Sequence, residues 1–392
     1  MNSQFSYLYQ LRCSVCQKPY DPNQVQTWCP ECNTPLIAEY RLDLLGSRVS
    51  KEEIVNRPNG MWRWHELLPV VDPEKIITQG EGDTPVLSMP RLGSHLGFSH
   101  LYIKDESLNP TGSFKARGLA AAISKAYELG ITRVIIPTAG NAGGAMAAYA
   151  ARAGMQAAVF MPADTPEANQ LECKITGANV VLVDGLISDA AVRVRERVCL
   201  EGWFDVSTFK EPYRLEGKKV MGLELAQQFH WDVPDVIVYP TGGGTGLVGI
   251  YKAIRELQAL GWMNTNRLPR IVAVQAEGCA PVVRAFEAGQ DTCTFFEGAH
   301  TMASGLRVPK SFADRMILQT IRETNGTAVS VSDEEIQSAQ RIWAVQEGMF
   351  VAPEGAATLA GMLKLRDSGW LQPDERVVLL NTATGLKYLD LL

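Results

Sequence analysis

Beyond residue 45, apolar runs of strand length alternate with segments of helix length, and this alternation limits the possible folds more than any other feature of the chain. Runs over 134–136, 157–161, 180–183, 235–239, 271–274 and 377–380 predict strands. Segments over 142–152, 167–176, 188–200 and 245–260 predict helices. Such an order implies parallel sheets covered by helices on both faces. One group of these units ends near residue 225 and a second starts near 230, which predicts two α/β domains. The 392 residues agree with two or three domains at roughly 150 residues each. A chain of that length buries enough core to fold without disulfides or metals.

Charge and hydropathy exclude some function classes. The chain has 37 basic and 43 acidic residues, a formal net charge of -6. Nonspecific nucleic-acid binding needs a cationic surface, so no nucleic-acid partner is expected. No apolar run approaches the ~20 residues of a membrane span, so no membrane partner is expected either. Met1-Asn2-Ser3-Gln4-Phe5 has neither a basic start nor an apolar signal core. The expectation is a soluble, cytoplasmic protein.

Ligands in parallel α/β folds sit beyond the carboxyl ends of the strands. Four segments carry chemistry at such places. Asn109-Pro110-Thr111-Gly112-Ser113-Phe114-Lys115 puts a lysine behind a rigid turn at a helix start. Near positive charge or an apolar wall its pKa falls, leaving a nucleophilic amine suited to carbonyl chemistry. Pro137-Thr138-Ala139-Gly140-Asn141-Ala142 follows a strand, and Asn141 offers both donor and acceptor at a helix amino terminus. That segment reads equally as a turn with a helix cap. Tyr239-Pro240-Thr241-Gly242-Gly243-Gly244-Thr245-Gly246 also follows a strand and opens a helix. Its consecutive glycines let backbone amides converge on a phosphate, assisted by the helix dipole. It lacks the lysine of an NTPase loop and the distal acid of a nicotinamide fingerprint. The fourth, Leu380-Asn381-Thr382-Ala383-Thr384-Gly385-Leu386-Lys387, places hydroxyls after the last strand.

Four of the eight cysteines cluster near the amino terminus. Cys13 and Cys16 form one C-x2-C pair, Cys29 and Cys32 another, with twelve residues between. The spacing resembles the two knuckles of a zinc ribbon and predicts structural zinc. Four thiolates leave no open coordination position, so no catalysis is expected there. Asn33 stands where such a knuckle requires a left-handed residue. A disulfide and an empty remnant of a metal site are the alternatives. Cys173, Cys199, Cys279 and Cys293 are scattered and read as ordinary apolar cysteines.

Lysine turn, Gly-Asn loop, triple-glycine loop and terminal threonine loop, in that order, resemble the tryptophan-synthase-β (fold-type II) pyridoxal-phosphate enzymes. Within that family the sequence is similar to the threonine synthases. Glu81-Gly82-Asp83-Thr84-Pro85, Lys104-Asp105-Glu106 and Pro212-Tyr213-Arg214-Leu215-Glu216-Gly217-Lys218 support this, and the similarity runs from about residue 80 to the carboxyl terminus. The resemblance implies that Lys115 bonds pyridoxal 5'-phosphate and acts as acid and base. It implies that Phe114 packs beside the cofactor and Asn141 bonds the ring hydroxyl. Gly242, Gly243, Gly244, Thr245 and Gly246 would hold the phosphate, and Thr382, or else Thr384, would meet the pyridine nitrogen. Arg214 and Arg117 would bind a small amino-acid substrate, with Lys210 and Lys218 as further cations. The implied architecture is two open parallel-sheet domains with the cofactor between them. A zinc-ribbon-like segment over 1–45 precedes a larger domain of 46–111 and 226–392 and a smaller one of 112–225. A homodimer is expected.

The chain departs from the threonine synthase pattern at several points. Ala139 and Ala142 stand where the family carries hydroxyls around Gly140-Asn141, and Thr208-Phe209-Lys210-Glu211 replaces an Asn-Ser-x-Asn lead. Met302 to Pro309 and the Thr-Ala-Thr-Gly-Leu-Lys ending are also altered. In the family those hydroxyls help receive the substrate phosphate, and methyl or phenyl groups cannot. Three functions are therefore open. The first converts O-phospho-L-homoserine and water to L-threonine and phosphate by γ-elimination and β-addition. The second is a serine/threonine ammonia-lyase or a β-replacement enzyme on a serine derivative. The third is a non-catalytic zinc-ribbon binding protein on a retired enzyme fold, which retention of Lys115, Asn141 and the glycine loop disfavours.

Overall fold

A computed structural model of the chain describes residues 4–138 and 140–391. Its sheets follow the burial of the strands. Val236–Pro240 is buried along its whole length, as is Arg376–Asn381 after its first residue. Strands covered on both faces read as continuous apolar runs, which is why these two were legible in the sequence.

Six strands form the larger sheet, in the order Thr327–Val331, Arg270–Ala276, Val236–Pro240, Arg376–Asn381, His100–Asp105 and Val86–Ser88. All neighbours are parallel except the Val86–Ser88 edge, which is antiparallel. Four parallel strands form the smaller sheet, in the order Phe204–Asp205, Arg133–Pro137, Gln156–Pro162 and Asn179–Val183. Each sheet has a switch point where successive connections leave in opposite directions. In the larger sheet it lies between Val236–Pro240 and Arg376–Asn381, and in the smaller between Arg133–Pro137 and Phe204–Asp205. Crevices at such points, beyond the carboxyl ends of the strands, are where ligands bind.

Helices Lys115–Glu128, Tyr213–Gln228 and Thr245–Ala259 pack side by side beneath these crevices. Close approach fixes their glycines. A Cβ at Gly217 would lie 2.0 Å from the Arg117 carbonyl, and one at Gly222 would lie 2.8 Å from the Ile250 carbonyl.

The amino-terminal segment is a separate antiparallel sheet, ordered Pro19–Tyr20, Leu8–Cys13, Thr34–Tyr40 and Trp28–Cys29. Cys13 pairs with Leu36 and Cys29 with Thr34, so the strand between them brings the two cysteine knuckles to one end. No helix among the described residues is long and apolar enough to cross a membrane.

Candidate active site

Both switch points open onto one cavity of about 540 Å³. The larger sheet contributes the loop Gly242 to Thr245 and Thr382. The smaller sheet contributes Thr138, Gly140, Asn141, Ser207 and Thr208, while Lys115 stands between them.

The lysine turn is held in place by the last loop of the chain. Thr111 and Gly112 both have φ near +60°. A Cβ at Gly112 would also lie 2.9 Å from Thr384 Cγ2, so glycine is required twice over. Phe114 donates its backbone N–H to the Thr382 carbonyl at 3.0 Å, and Thr384 donates to Gly112 at 3.0 Å. Lys115 then opens its helix with Nζ 4.3 Å from the Phe114 ring centre. Loss of water around the amine, helped by the Arg214 charge and opposed by Glu354, lowers its pKa to about 8.

Asn141 opens helix Asn141–Arg152. Its Nδ2 donates to the Tyr388 hydroxyl at 3.0 Å, and that hydroxyl donates to Glu354 Oε1 at 3.0 Å. Asn141 is thereby oriented, and its Oδ1 is left buried with no partner among the described residues. The glycine loop is a cradle that side chains would fill. A Cβ at Gly242 would lie 2.3 Å from the Gly305 carbonyl, and one at Gly243 would lie 2.7 Å from Thr208 Cγ2. Gly244, at φ +78°, precedes helix Thr245–Ala259, whose amino terminus faces the cavity.

A lysine amine, an orphaned amide oxygen, a glycine cradle at a helix amino terminus and a buried hydroxyl at Thr382 together fit pyridoxal phosphate. In such a fit Lys115 would meet its aldehyde, Asn141 the ring hydroxyl, Gly242 to Thr245 the phosphate and Thr382 the ring nitrogen.

Not every expected residue reaches this cavity. Arg117 does not. Its Nε donates to Glu106 at 2.6 Å, and both terminal nitrogens donate to Glu224 at 2.7 Å, in a fully buried network that Lys104 completes. Every direction of that guanidinium is spent inside the protein. Lys218 is buried behind Phe114, with Nζ 3.6 Å from the ring centre and no hydrogen-bond partner among the described residues. Burial, with Lys115 and Arg214 nearby, drives its pKa far down, and it is not part of the cavity lining. Gly246 is also outside the lining, because it makes room for the Tyr239 hydroxyl, which a Cβ would approach to 1.9 Å.

Arg214 does line the cavity. One terminal nitrogen donates to the Val206 carbonyl at 2.8 Å, whereas Nε is buried without a partner among the described residues. Lys210, Arg195, Arg307 and Lys310 line the same space, against two carboxylates, Asp205 and Glu354. The departures from the family pattern also fall differently in space. Phe209, at φ +61°, turns into an apolar cluster, while Ser207 and Thr208 line the cavity, the Ser207 hydroxyl donating to Asp205. Ala142 lines the cavity as a methyl, while Ala139 lies outside the described residues.

Sequence reasoning missed Tyr388 and Glu354. Their signals were faint: Glu354 follows a proline in the first turn of helix Pro353–Asp367, and Tyr388 sits just past the threonine loop.

The four cysteine sulfurs lie within 4.8 Å of one another. Gln17 and Asn33, one residue past each knuckle, have φ of 63° and 52°. Backbone N–H groups of Val15 and Cys16 point at Cys13 Sγ from 3.4 Å. Together with the Thr34 hydroxyl they lower the Cys13 pKa to about 6 against the opposing effect of burial. None of the eight cysteines is in a disulfide.

Comparison with known proteins gives the family. Residues 77–383 match the family described as pyridoxal-phosphate dependent enzyme. The threonine synthase of Methanosarcina acetivorans is 37% identical over 97% of this chain and 92% of its own. That of Methanocaldococcus jannaschii is 35% identical over 97% of this chain and 93% of its own. Among solved structures, a fungal L-serine ammonia-lyase from Rhizomucor miehei superposes with a TM-score of 0.66 at 25% identity, covering 78% of this chain and 96% of the other. The family match spans the lysine turn, both glycine loops and Thr382, and the two threonine synthases align through the cysteine segment as well. This chain belongs to the pyridoxal-phosphate-dependent enzymes, among their threonine synthase-like members.

Proposed function

We propose that the protein is a threonine synthase, a lyase converting O-phospho-L-homoserine and water to L-threonine and phosphate. Kinship supplies the reaction class, and one feature of the cavity carries the substrate. Five cations other than Lys115 line it against two carboxylates, and of the five Arg307 is paired with Asp164. Serine and threonine have no distal anion to use such a wall, whereas a phosphate monoester does. An ammonia-lyase acting on serine or threonine is the competing reading, favoured by the fungal structure. That likeness covers 78% of the chain, against 97% for the threonine synthases.

When bound, pyridoxal phosphate supplies a conjugated electron sink for negative charge on substrate carbons. The protein's own groups do the rest. Lys115 Nζ, with a pKa of about 8, exchanges protons near neutrality and moves them to and from the substrate carbons. Arg214 and Lys210 hold the distal phosphate, and a guanidinium with an unspent Nε suits a two-point contact. Tyr388 and Glu354 fix the Asn141 amide so that its oxygen faces the cofactor's position. A hydroxyl at Thr382, in place of a carboxylate, would leave the ring nitrogen of the bound cofactor less protonated, which suits elimination over transamination.

The cysteine cluster is proposed to hold structural zinc. Tetrahedral zinc about 2.3 Å from each sulfur sets the sulfurs about 3.8 Å apart, and Cys16 Sγ and Cys29 Sγ are 3.8 Å apart. The proposed form is a cytoplasmic homodimer with domains at 46–111 with 226–392 and at 112–225; light scattering reads its mass.

The test is a panel on the holoenzyme: O-phospho-L-homoserine, L-serine, L-threonine and O-phospho-L-serine. Threonine and phosphate released in equal amounts from the first support the reading. Keto acid from serine or threonine, with phosphohomoserine untouched, transfers the protein to the ammonia-lyases.

A further inference from the structure

Trp28 and Asn33 of the cysteine segment line the cavity that holds Lys115 and Arg214. The segment is therefore part of the site's wall and not a separate module. Trp28 adjoins Cys29 in the two-residue strand Trp28–Cys29, which pairs with Pro35 and Thr34. Asn33 closes the same knuckle by donating its N–H to the Cys29 carbonyl at 2.8 Å. The position of the indole is thus set within one residue of a sulfur of the cysteine cluster.

Across the cavity wall, the indole meets Phe312 edge-on, with ring centres 6.2 Å apart. Lys210 lies between them, its Nζ 4.4 Å from the Trp28 ring centre and 3.6 Å from that of Phe312. Lys210 forms no ion pair within 4.0 Å among the described residues. Two aromatic faces hold this ammonium, and the Asp205 carboxylate of the same wall acts on it from beyond ion-pair distance. The consequence is chemical: π faces steady a cation without neutralising it, so its charge stays available to an anion. A carboxylate partner would compete with the substrate.

We infer that the cysteine segment forms a metal-tethered wall of the substrate cavity, in which Trp28 is a positioning residue that aims Lys210 at the distal phosphate of the substrate. The inference rests on the phosphohomoserine reading for the natural ligand, but its physical content is phosphate binding that depends on a residue of the cysteine segment.

The experiment uses holoenzyme and inorganic phosphate, measured by calorimetry, with KM, kcat, cofactor absorbance and melting temperature recorded alongside. Trp28→Ala and Lys210→Gln should each weaken phosphate binding roughly tenfold, the scale of a lost cation–π contact or surface-to-anion charge pair. Combined, they should weaken it little more than either alone, because they act through one contact. Trp28→Phe keeps a π face and should restore most of the affinity. Removing the metal with a chelator should reproduce Trp28→Ala, with the cofactor band retained and the loss falling on KM more than on kcat. Phosphate binding that is absent, or indifferent to Trp28→Ala in folded protein, overturns the inference, as does a double variant whose losses multiply. Holoenzyme that binds phosphate through these residues yet ignores phosphohomoserine sinks the substrate reading alone. Turnover of phosphohomoserine with a KM indifferent to Trp28→Ala sinks this inference alone.

Discussion

Phe114 donates its backbone N–H to the carbonyl of Thr382 at 3.0 Å, which fastens the residue before the active lysine to the last loop of the chain. Residues far apart in sequence thus form one rigid frame, and the frame's tightest point is Gly112. Gly112→Ala would place a methyl 2.9 Å from Thr384 Cγ2 in a left-handed conformation. The left-handed backbone alone costs about 1–2 kcal/mol. Cofactor affinity should fall by an order of magnitude or more, with a smaller drop in melting temperature. Titration of the cofactor absorbance checks this, and unchanged affinity would show that the frame does not position Lys115.

The Lys115 amine must be neutral to attack a carbonyl. With its pKa lowered to about 8 by burial and then by Arg214, the rate of cofactor capture should rise about tenfold per pH unit below 8 and flatten above it. Arg214→Gln removes a neighbouring cation, so the inflection should move to higher pH. Arg214→Lys keeps the charge, so the inflection should stay while the KM for phosphohomoserine rises. Losing a buried two-point phosphate contact typically costs about 2–5 kcal/mol. Stopped-flow absorbance reads the first effect and steady-state kinetics the second.

Arg117 belongs to stability and not to the substrate. Against burial, Arg117 and then Lys104 hold the Glu224 carboxyl down at about 2, below its ordinary 4.5. A carboxyl with a lowered folded pKa stabilises fully above 4.5, and that stability is lost as pH falls toward 2. Glu224→Gln should cost roughly 3–5 kcal/mol and remove part of the acid-denaturation slope. Arg117→Lys should lower the melting temperature with KM near wild type. A KM shift in stable Arg117→Lys protein would return Arg117 to the substrate.

These assignments mark where the sequence was legible. The strands at 134–136, 157–161 and 377–380 were readable because both faces are buried and glycine loops bound them. His100–Asp105 was not, since its carboxyl end carries Lys104 and Asp105, whose partners Glu224 and Asn381 come from distant segments. Thr327–Val331 is a half-buried edge strand that reads as polar. Lys115, Asn141 and the glycine loop stood out through their order along the chain more than by local pattern; Asn141 and the glycine loop follow strands, and Lys115 opens a helix behind a turn. Arg117 has the same local credentials as Arg214. Only the fold reveals that Glu224, 107 residues on, claims its guanidinium. Tyr388 acts through Asn141, 247 residues away, and no local pattern carries that pairing.

The cysteine cluster should yield about one zinc per chain by metal analysis, as a closed tetrahedral site requires. Cys29→Ser should release it and loosen the segment, seen as faster amide exchange over 8–40. Protein that is fully stable and free of metal as purified would make the cluster vestigial.

The most direct test of the account follows oxygen. Holoenzyme is given O-phospho-L-homoserine in water enriched in heavy oxygen, and both products are weighed by mass spectrometry. Elimination at the carbon–oxygen bond followed by water addition at Cβ puts the label in the threonine hydroxyl and leaves the released phosphate unlabelled. Homoserine with labelled phosphate would mean simple hydrolysis at phosphorus, and it would contradict the assignment of Lys115 and the cationic wall to one threonine-forming reaction.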